Sequence, residues 1–578
     1  MNGNNKSFRI LASSLLLAVS LLQGCATLNQ PADKDIFVVP PGDTSSCPQA
    51  NRAVRDYSGV IAAIKKNQPD LAWLLKKFPK GADLHNHLSG SVMPEDYITL
   101  GSSDGDCFGP DPAVPVMYTI KAATKPGVCP DAFKPLAQAN AAERQLLLKS
   151  LSMYKFNDAG LTSVQAGHDQ FFATFGRFGA VSGNASNMVP MLARLLQQAH
   201  DDTVGYVETM TSFQSQAVSN FADKLRLKYP DPAAYANPAN YPAMYDYLLN
   251  AGLNDAVMAA RKDIAAYVKG VNDILLCNTA TSDPACEVSY NFQAAVNRNA
   301  ALKDGSPDLP KIFTQVVLSS ELATAEPRVV GVNLLSGEDS SVSMQSFPQQ
   351  MGFFNYAAHR SARLNIALHG GELTPCFVGA ATPALKDHIT GPIQAGAKRV
   401  GHAVSFTYLS NADKNSVAGL MKKNNTMVEV PLTSNAQILG VTGREHPFEQ
   451  YFRKYGVPVA FATDDEGVSY TDFTSAWIYA AGRYRLTYDE AVRLARASLE
   501  YSFLPGQSLW QDGSNVIVPP CKGADMGSPA PGETCGGFLN KNAKAAAQWR
   551  FEGQLAWFDK EYGESLRKEL AAVKEARR

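Results

Sequence analysis

Eight short runs rich in β-branched and aliphatic residues recur along this 578-residue chain, at 82–88, 204–210, 312–318, 329–335, 366–369, 399–404, 427–431 and 457–463. Helix-like stretches such as 348–363 and 413–423 separate most of them. Strands alternating with helices predict a parallel sheet, because a crossover helix returns the chain to the same end of the sheet. Eight such units predict closure into a (β/α)8, or TIM, barrel. A further run at 161–166 has no place in that count. An apolar content of 45% supplies a sizeable core, and the length suits one large barrel with extensions.

The extensions can be outlined from composition. Lys6 and Arg9 precede an apolar run at 10–22, followed directly by Gly24 and Cys25. The run is short for a membrane span and has no charged stop. Leu22-Gln23-Gly24-Cys25 resembles a bacterial lipobox, in which the cysteine is acylated; an ordinary signal peptide cut nearby is the alternative. Either reading exports the chain, and the first places it in the bacterial cell envelope, lipid-anchored and facing the periplasm or exterior. Residues 1–25 therefore read as a lipoprotein signal peptide and 26–78 as a Pro-rich tether with a helical extension. Residues 79–504 read as the barrel, with insertions near 91–160 and 214–308, and 505–578 as a loop and a C-terminal helix. Eight cysteines remain after Cys25. In an oxidising compartment they suggest disulfides, with buried free thiols as the alternative. Three pairs are close in sequence: Cys107 with Cys129, Cys277 with Cys286, and Cys521 with Cys535. Cys47 and Cys376 are left over. A net charge of −1 lacks the basic footprint of a nucleic-acid binder, which excludes that class.

Chemistry-bearing residues collect where the runs end. Side chains at i and i+2 of a strand share a face, so His85 and His87 can both enter a barrel mouth. A lone His-x-His is weak by itself. His369 ends another run, and in a continued strand Glu372 would face away from it; Gly370 and Gly371 allow a sharp turn that brings the carboxylate back. His402 ends a third run. Asp464 and Asp465 close a fourth, where like charges are costly unless a cation compensates. Three imidazoles and a carboxylate suit zinc, with a water or substrate completing the site. The C-terminal ends of the strands are the catalytic face of this fold.

These strings resemble the adenosine deaminase family of the amidohydrolase superfamily. Residues 79–88, Pro-Lys-Gly-Ala-Asp-Leu-His-Asn-His-Leu, are similar to its first-strand motif. His369-Gly370-Gly371-Glu372, Gly401-His402 and Thr463-Asp464-Asp465 are similar to its fifth-, sixth- and eighth-strand motifs, and residues 329–334 with Gly337-Glu338-Asp339 to its fourth-strand segment. The helical leader, the Pro-Lys-Gly lead-in and a cysteine pair after the first strand resemble the secreted growth-factor branch. The resemblance implies that His85, His87, His369 and Asp464 hold one zinc ion per chain. It implies that His402 orients the attacking hydroxide and takes its proton, and that Glu372 protonates purine N1. Asp464 thus counts as both ligand and catalytic residue. Asp465 would hydrogen-bond N7, and the Gly337 backbone would meet N3.

Two departures bear on the substrate. Ser89 stands where the family has an acid that binds a ribose hydroxyl, and Glu466 where a proline commonly follows. The expected activity is hydrolytic deamination of adenosine, with deoxyadenosine, to inosine and ammonia. Deamination of adenine or a modified adenosine is the near alternative, and a purine-binding or signalling lipoprotein the alternative of another class. The expected partners are a purine nucleoside and, through the lipid, a membrane; the reading leaves room for a homodimer.

Overall fold

The computed structural model describes residues 50–156, 164–379, 382–511 and 516–575. Cys25, the signal segment and the tether to residue 49 lie outside the described residues. Eight strands form one parallel sheet: β1 (Ala82–His87), β2 (Tyr206–Thr211), β3 (Ser289–Asn297), β4 (Val329–Leu335), β5 (Ile366–Gly370), β6 (Arg399–His402), β7 (Met427–Val430) and β8 (Val459–Phe461). Each pairs in parallel with the next. Backbone bonds from Asp464 N to His85 O (2.9 Å) and from His87 N to Asp464 O (3.1 Å) join the last strand's exit to the first. The chain is a (β/α)8 barrel, and the bonds that close it come from residues at its mouth.

The third strand is not where the pattern predicted. Residues 312–318 lie inside the helix Leu309–Ala325. Asp308 caps that helix through Lys311 N, Pro310 sits in its first turn, and Ile312, Phe313, Val316, Val317 and Leu318 are all buried. A helix buried on several faces reads as a continuous apolar run, which periodicity cannot separate from a strand. The true third strand, β3, carries Asn291 and Gln293, whose polar side chains hid it. Gln293 Nε2 donates to Leu84 O (2.8 Å) inside the barrel. The second insertion therefore ends before Ser289, not near 308; its helices are Ser215–Lys228, Tyr241–Asn250 and Leu253–Ile274. Of the run at 161–166, residues 161–163 lie outside the described residues, and the remainder opens the helix Val164–Ser182.

The barrel interior is polar at its centre. Arg399 is buried between Glu208 (2.7 Å) and Glu429 (2.7 Å) and lies over the Phe503 ring. Such a network adds little stability over apolar packing, but once present, losing one member strands a buried charge.

Around the barrel the extensions are pinned individually. The helix Ala50–Asn67 docks through Tyr57, whose hydroxyl lies 2.6 Å from Thr433 Oγ1. Lys80 Nζ is buried and donates to the carbonyls of Leu75, Phe78 and Asp202, closing the end of the helix Pro69–Lys77. Gly81 has φ +75°, and a Cβ there would lie 2.4 Å from Ala495 O, so only glycine fits that lead-in. The first insertion holds a three-stranded antiparallel sheet and buries Phe108, Ile120 and Leu136; the Cys107–Cys129 disulfide staples it. Closing that loop stabilises by about 3 kcal/mol on the chain-entropy argument. Cys277–Cys286 and Cys521–Cys535 are also bonded, as is Cys376; Cys47 lies outside the described residues. No helix among the described residues is long and apolar enough to cross a membrane.

Candidate active site

Strand alternation sends His85 and His87 to the same side of β1, as expected. β5 delivers His369. Beyond it Gly371 adopts φ +75°, with Ile389 and Ser405 where a Cβ would go. That turn brings Glu372 back over the mouth, where its Oε1 lies 3.7 Å from His402 Nδ1. His402 (φ +64°), Ala403 (φ +49°) and Asp464 (φ +61°) take the left-handed backbone region without being glycine. Each costs about 1–3 kcal/mol, a strain that clusters at functional sites.

The side chains converge on one point. The donor atoms of His85, His369, His402 and Asp464 all lie within 4.8 Å of one another, and those of His87, Asp464 and Asp465 form a second such group. His87 Nε2 stands 3.0 Å from Asp464 Oδ1 and 3.2 Å from His369 Nε2. His85 Nε2 and His402 Nε2 are buried with no hydrogen-bond partner. Behind them stand second partners: Glu429 Oε2 at 2.8 Å from His85 Nδ1, Asn333 Oδ1 at 3.0 Å from His369 Nδ1, and the Asn435 carboxamide at 2.9 Å from His402 Nδ1. Ring nitrogens gathered and backed in this way could hold a metal ion.

The electrostatics separate the carboxyl groups. Burial raises Asp464, but the imidazoles of His85 and His87 outweigh it and hold the carboxyl well below its ordinary range. Burial lowers His85, yet Asp464 and Glu429 overcome it and push the imidazole up to about 10. Burial, then the neighbouring imidazoles, drives His369 well below its usual value. Glu372 goes the other way: burial first, then the charges of Asp464 and Glu338, raise it well above the carboxylate range. Asp465 is raised by burial and by Asp464, and its Oδ1 is buried without a hydrogen-bond partner.

These groups floor a cavity of about 490 Å³. Ser89 lines it, and its carbonyl accepts from the Tyr97 hydroxyl. Gly337 lies just past the wall residues Leu335 and Ser336, with its carbonyl taken by Asn299 Nδ2 (2.9 Å). The outer wall comprises Phe171, Phe172, Phe175 and Met188, from the helix Val164–Ser182 and the segment after it. Sequence reasoning missed this wall, because one aromatic face on a helix looks like core. It also passed over Asn333, Asn435, Glu429 and His446 behind the histidines. A second support went unassigned as well: Glu338 Oε2 accepts from Glu372 N (2.6 Å), and Glu338 Oε1 from His388 Nδ1 (2.8 Å).

The (β/α)8 barrel thus carries a buried cluster of histidines and aspartate at the C-terminal ends of its strands. Residues 315–511 match the family described as adenosine deaminase. An adenosine deaminase of Enterococcus faecalis is 28% identical over 180 residues, covering 31% of this chain and 47% of that protein. An N6-methyl-AMP deaminase of Danio rerio is 24% identical over 227 residues, covering 38% of this chain and 57% of that protein. The chain thus spans about half the length of these curated relatives. A crystal structure of an Arabidopsis N6-mAMP deaminase superposes with a TM-score of 0.46 at 17% identity, covering 75% of this chain and 95% of that one.

Proposed function

We propose that this protein is a zinc-dependent aminohydrolase that converts adenosine and water to inosine and ammonia. The observation that carries the reading is Glu372: a carboxyl group turned back over the histidine cluster by a double-glycine bend and buried 3.7 Å from His402 Nδ1, where burial favours its neutral form. His85, His87, His369 and Asp464 would hold the zinc. When bound, zinc supplies a nucleophilic oxygen at neutral pH by acidifying a water. Glu372 in its acid form can give a proton to purine N1, which makes C6 electrophilic. N7 is an acceptor, so Asp465 would have to present a proton to it, and burial together with the charge of Asp464 favours the neutral carboxyl. His402 would face the attacking oxygen, and the Gly337 backbone N–H, just past the lining residues Leu335 and Ser336, would meet N3.

The far part of the cavity supports a nucleoside rather than a nucleotide. Away from the histidine and carboxylate groups, every lining side chain among the described residues is uncharged, with no lysine or arginine among them. A phosphate there would lose its hydration with no cation to replace it. Ser89 favours a second reading, deamination of the free base adenine, because a hydroxyl holds a ribose less firmly than a carboxylate would. We also propose export and acylation at Cys25; the disulfides suit an oxidising compartment. The growth-factor-branch resemblance rests on the Pro-Lys-Gly lead-in and the Cys107–Cys129 pair.

Ammonia release across adenosine, deoxyadenosine, adenine, AMP and methylthioadenosine tests the reading. Adenosine is expected to have the highest kcat/KM, with AMP lower by tenfold or more. Turnover dominated by AMP, or absent on every aminopurine with zinc bound, would overturn it.

A further inference from the structure

His446 is not among the residues lining the cavity, yet it is one side chain away from His402, which is. The Asn435 carboxamide spans the two rings, with one end 2.9 Å from His402 Nδ1 and the other 2.9 Å from His446 Nε2. All three residues are buried, so these bonds have no water to fall back on. The backbone N–H of Phe448 donates to His446 Nδ1 at 3.1 Å.

That last bond decides the others. A backbone N–H can only donate, so His446 Nδ1 carries no proton. Burial, helped by nearby His402, pushes the His446 imidazole down to about 3, so the ring is neutral and its one proton sits on Nε2. Nε2–H then needs an acceptor, and its neighbour is the Asn435 carboxamide. The structure sets Oδ1 toward His402 and Nδ2 toward His446, which would put two donors face to face at His446. A half-turn of the amide exchanges its ends. Among the described residues it breaks no other bond, because the Asn435 side chain has no further partner there. Oδ1 then accepts from His446 Nε2–H, and Nδ2 donates to His402 Nδ1.

We infer that His446, acting through Asn435, is a positioning residue that fixes the proton of neutral His402 on Nε2. His402 Nε2 is the ring nitrogen that is buried without a partner and faces the cluster, 3.9 Å from Asp464 Oδ2. His402 thereby presents a donor, not a lone pair, to the oxygen that attacks C6. It would orient that oxygen by donating to it, in place of the proton-accepting role that the family resemblance implied for His402. This role for His402 rests on the deaminase reading; the placement of the proton does not.

The test is the tautomer itself. In zinc-loaded, ¹⁵N-histidine-labelled protein, long-range ¹H–¹⁵N correlation spectra report which nitrogen of each neutral ring is protonated. Substitution of His402 or His446 by glutamine assigns their signals. Both rings are expected to be protonated at Nε2 and bare at Nδ1. His402 protonated at Nδ1 overturns the inference. Variants give a second readout. In His446→Phe the amide loses its reason to hold one orientation, so kcat should fall about tenfold with KM within twofold and zinc content unchanged. In His446→Gln the side-chain amide can still donate to Asn435 Oδ1, so kcat should recover to within about threefold of the parent. A glutamine variant no better than phenylalanine overturns the inference, even if the phenylalanine variant folds poorly. Wild-type protein that shows the expected tautomers but turns over no aminopurine would sink the deaminase reading and leave the proton assignment standing.

Discussion

At the floor of the cavity the reacting side chains have partners behind them. His85 rests on Glu429, His369 on Asn333, His402 on Asn435, and the backbone of Glu372 on Glu338. At the outer wall, Phe171, Phe172 and Phe175 lean on one another, with ring centroids 5.7 Å and 6.2 Å apart for the two pairs that include Phe171. The floor stands on strand ends and the turns just past them; the wall stands on an insertion helix. A group that must hold a metal or pass a proton needs a fixed direction, which hydrogen bonds on rigid strands supply. A surface that excludes water and contacts a flat ring needs area more than direction. The same cavity therefore has one end whose loss should stop chemistry and another whose loss should loosen binding.

The largest effects should fall on the floor and should split between adjacent roles. His369→Ala removes one of the imidazoles proposed to hold the metal, so both zinc content and turnover should be lost. Glu372→Gln keeps nearly the same shape but cannot deliver a proton. Its zinc content should stay full while kcat falls by about 10²–10⁴, the scale of a lost general acid. Metal analysis beside steady-state kinetics on both variants checks this. A Glu372→Gln protein that loses its zinc, or turns over normally, would erase the distinction between ligand and acid.

A smaller effect should mark the wall. Phe175→Ala removes part of an aromatic face that lines the cavity without touching the histidine cluster. KM for adenosine should rise about tenfold, which corresponds to about 1.4 kcal/mol, while kcat stays within twofold. If kcat falls instead, the helix Val164–Ser182 is positioning the chemistry, and the contrast between the two ends fails.

The same contrast explains what was legible in the chain before folding. Parallel strands buried on both faces read as apolar runs, and the residues that do chemistry sit just past their ends. His85, His369, His402 and Asp464 could therefore be found together from short strings. β3 was hidden because Asn291 and Gln293 serve a polar interior, while the buried helix Leu309–Ala325 mimicked a strand. The supports were harder still: Asn435 and His446 stand 33 and 44 residues beyond His402 (435 − 402 and 446 − 402), and only the barrel's closure makes them neighbours. The aromatic wall carried no signal that separates a binding face from a core face, since both are apolar stripes at helical spacing.

Ser89 sits where the two ends meet, and it gives the finest test. It follows β1 by two residues, lines the cavity, and its backbone is held by the Tyr97 hydroxyl. Its side chain can exchange one neutral hydrogen bond with a ribose hydroxyl. A carboxylate there would make a charge-assisted bond about twice as strong, in a region already crowded by Asp464 and Asp465. If ribose is bound at this edge, Ser89→Asp should lower KM for adenosine by about threefold to tenfold, a gain of about 1 kcal/mol set against that repulsion. KM for adenine, which has no ribose, should stay flat or rise. Comparing the two substrates on the same variant cancels any general change in the fold. A Ser89→Asp protein that binds adenine and adenosine worse by the same factor would show that the substituted carboxylate meets only the acidic floor. The ribose would then have to be held elsewhere on the uncharged wall.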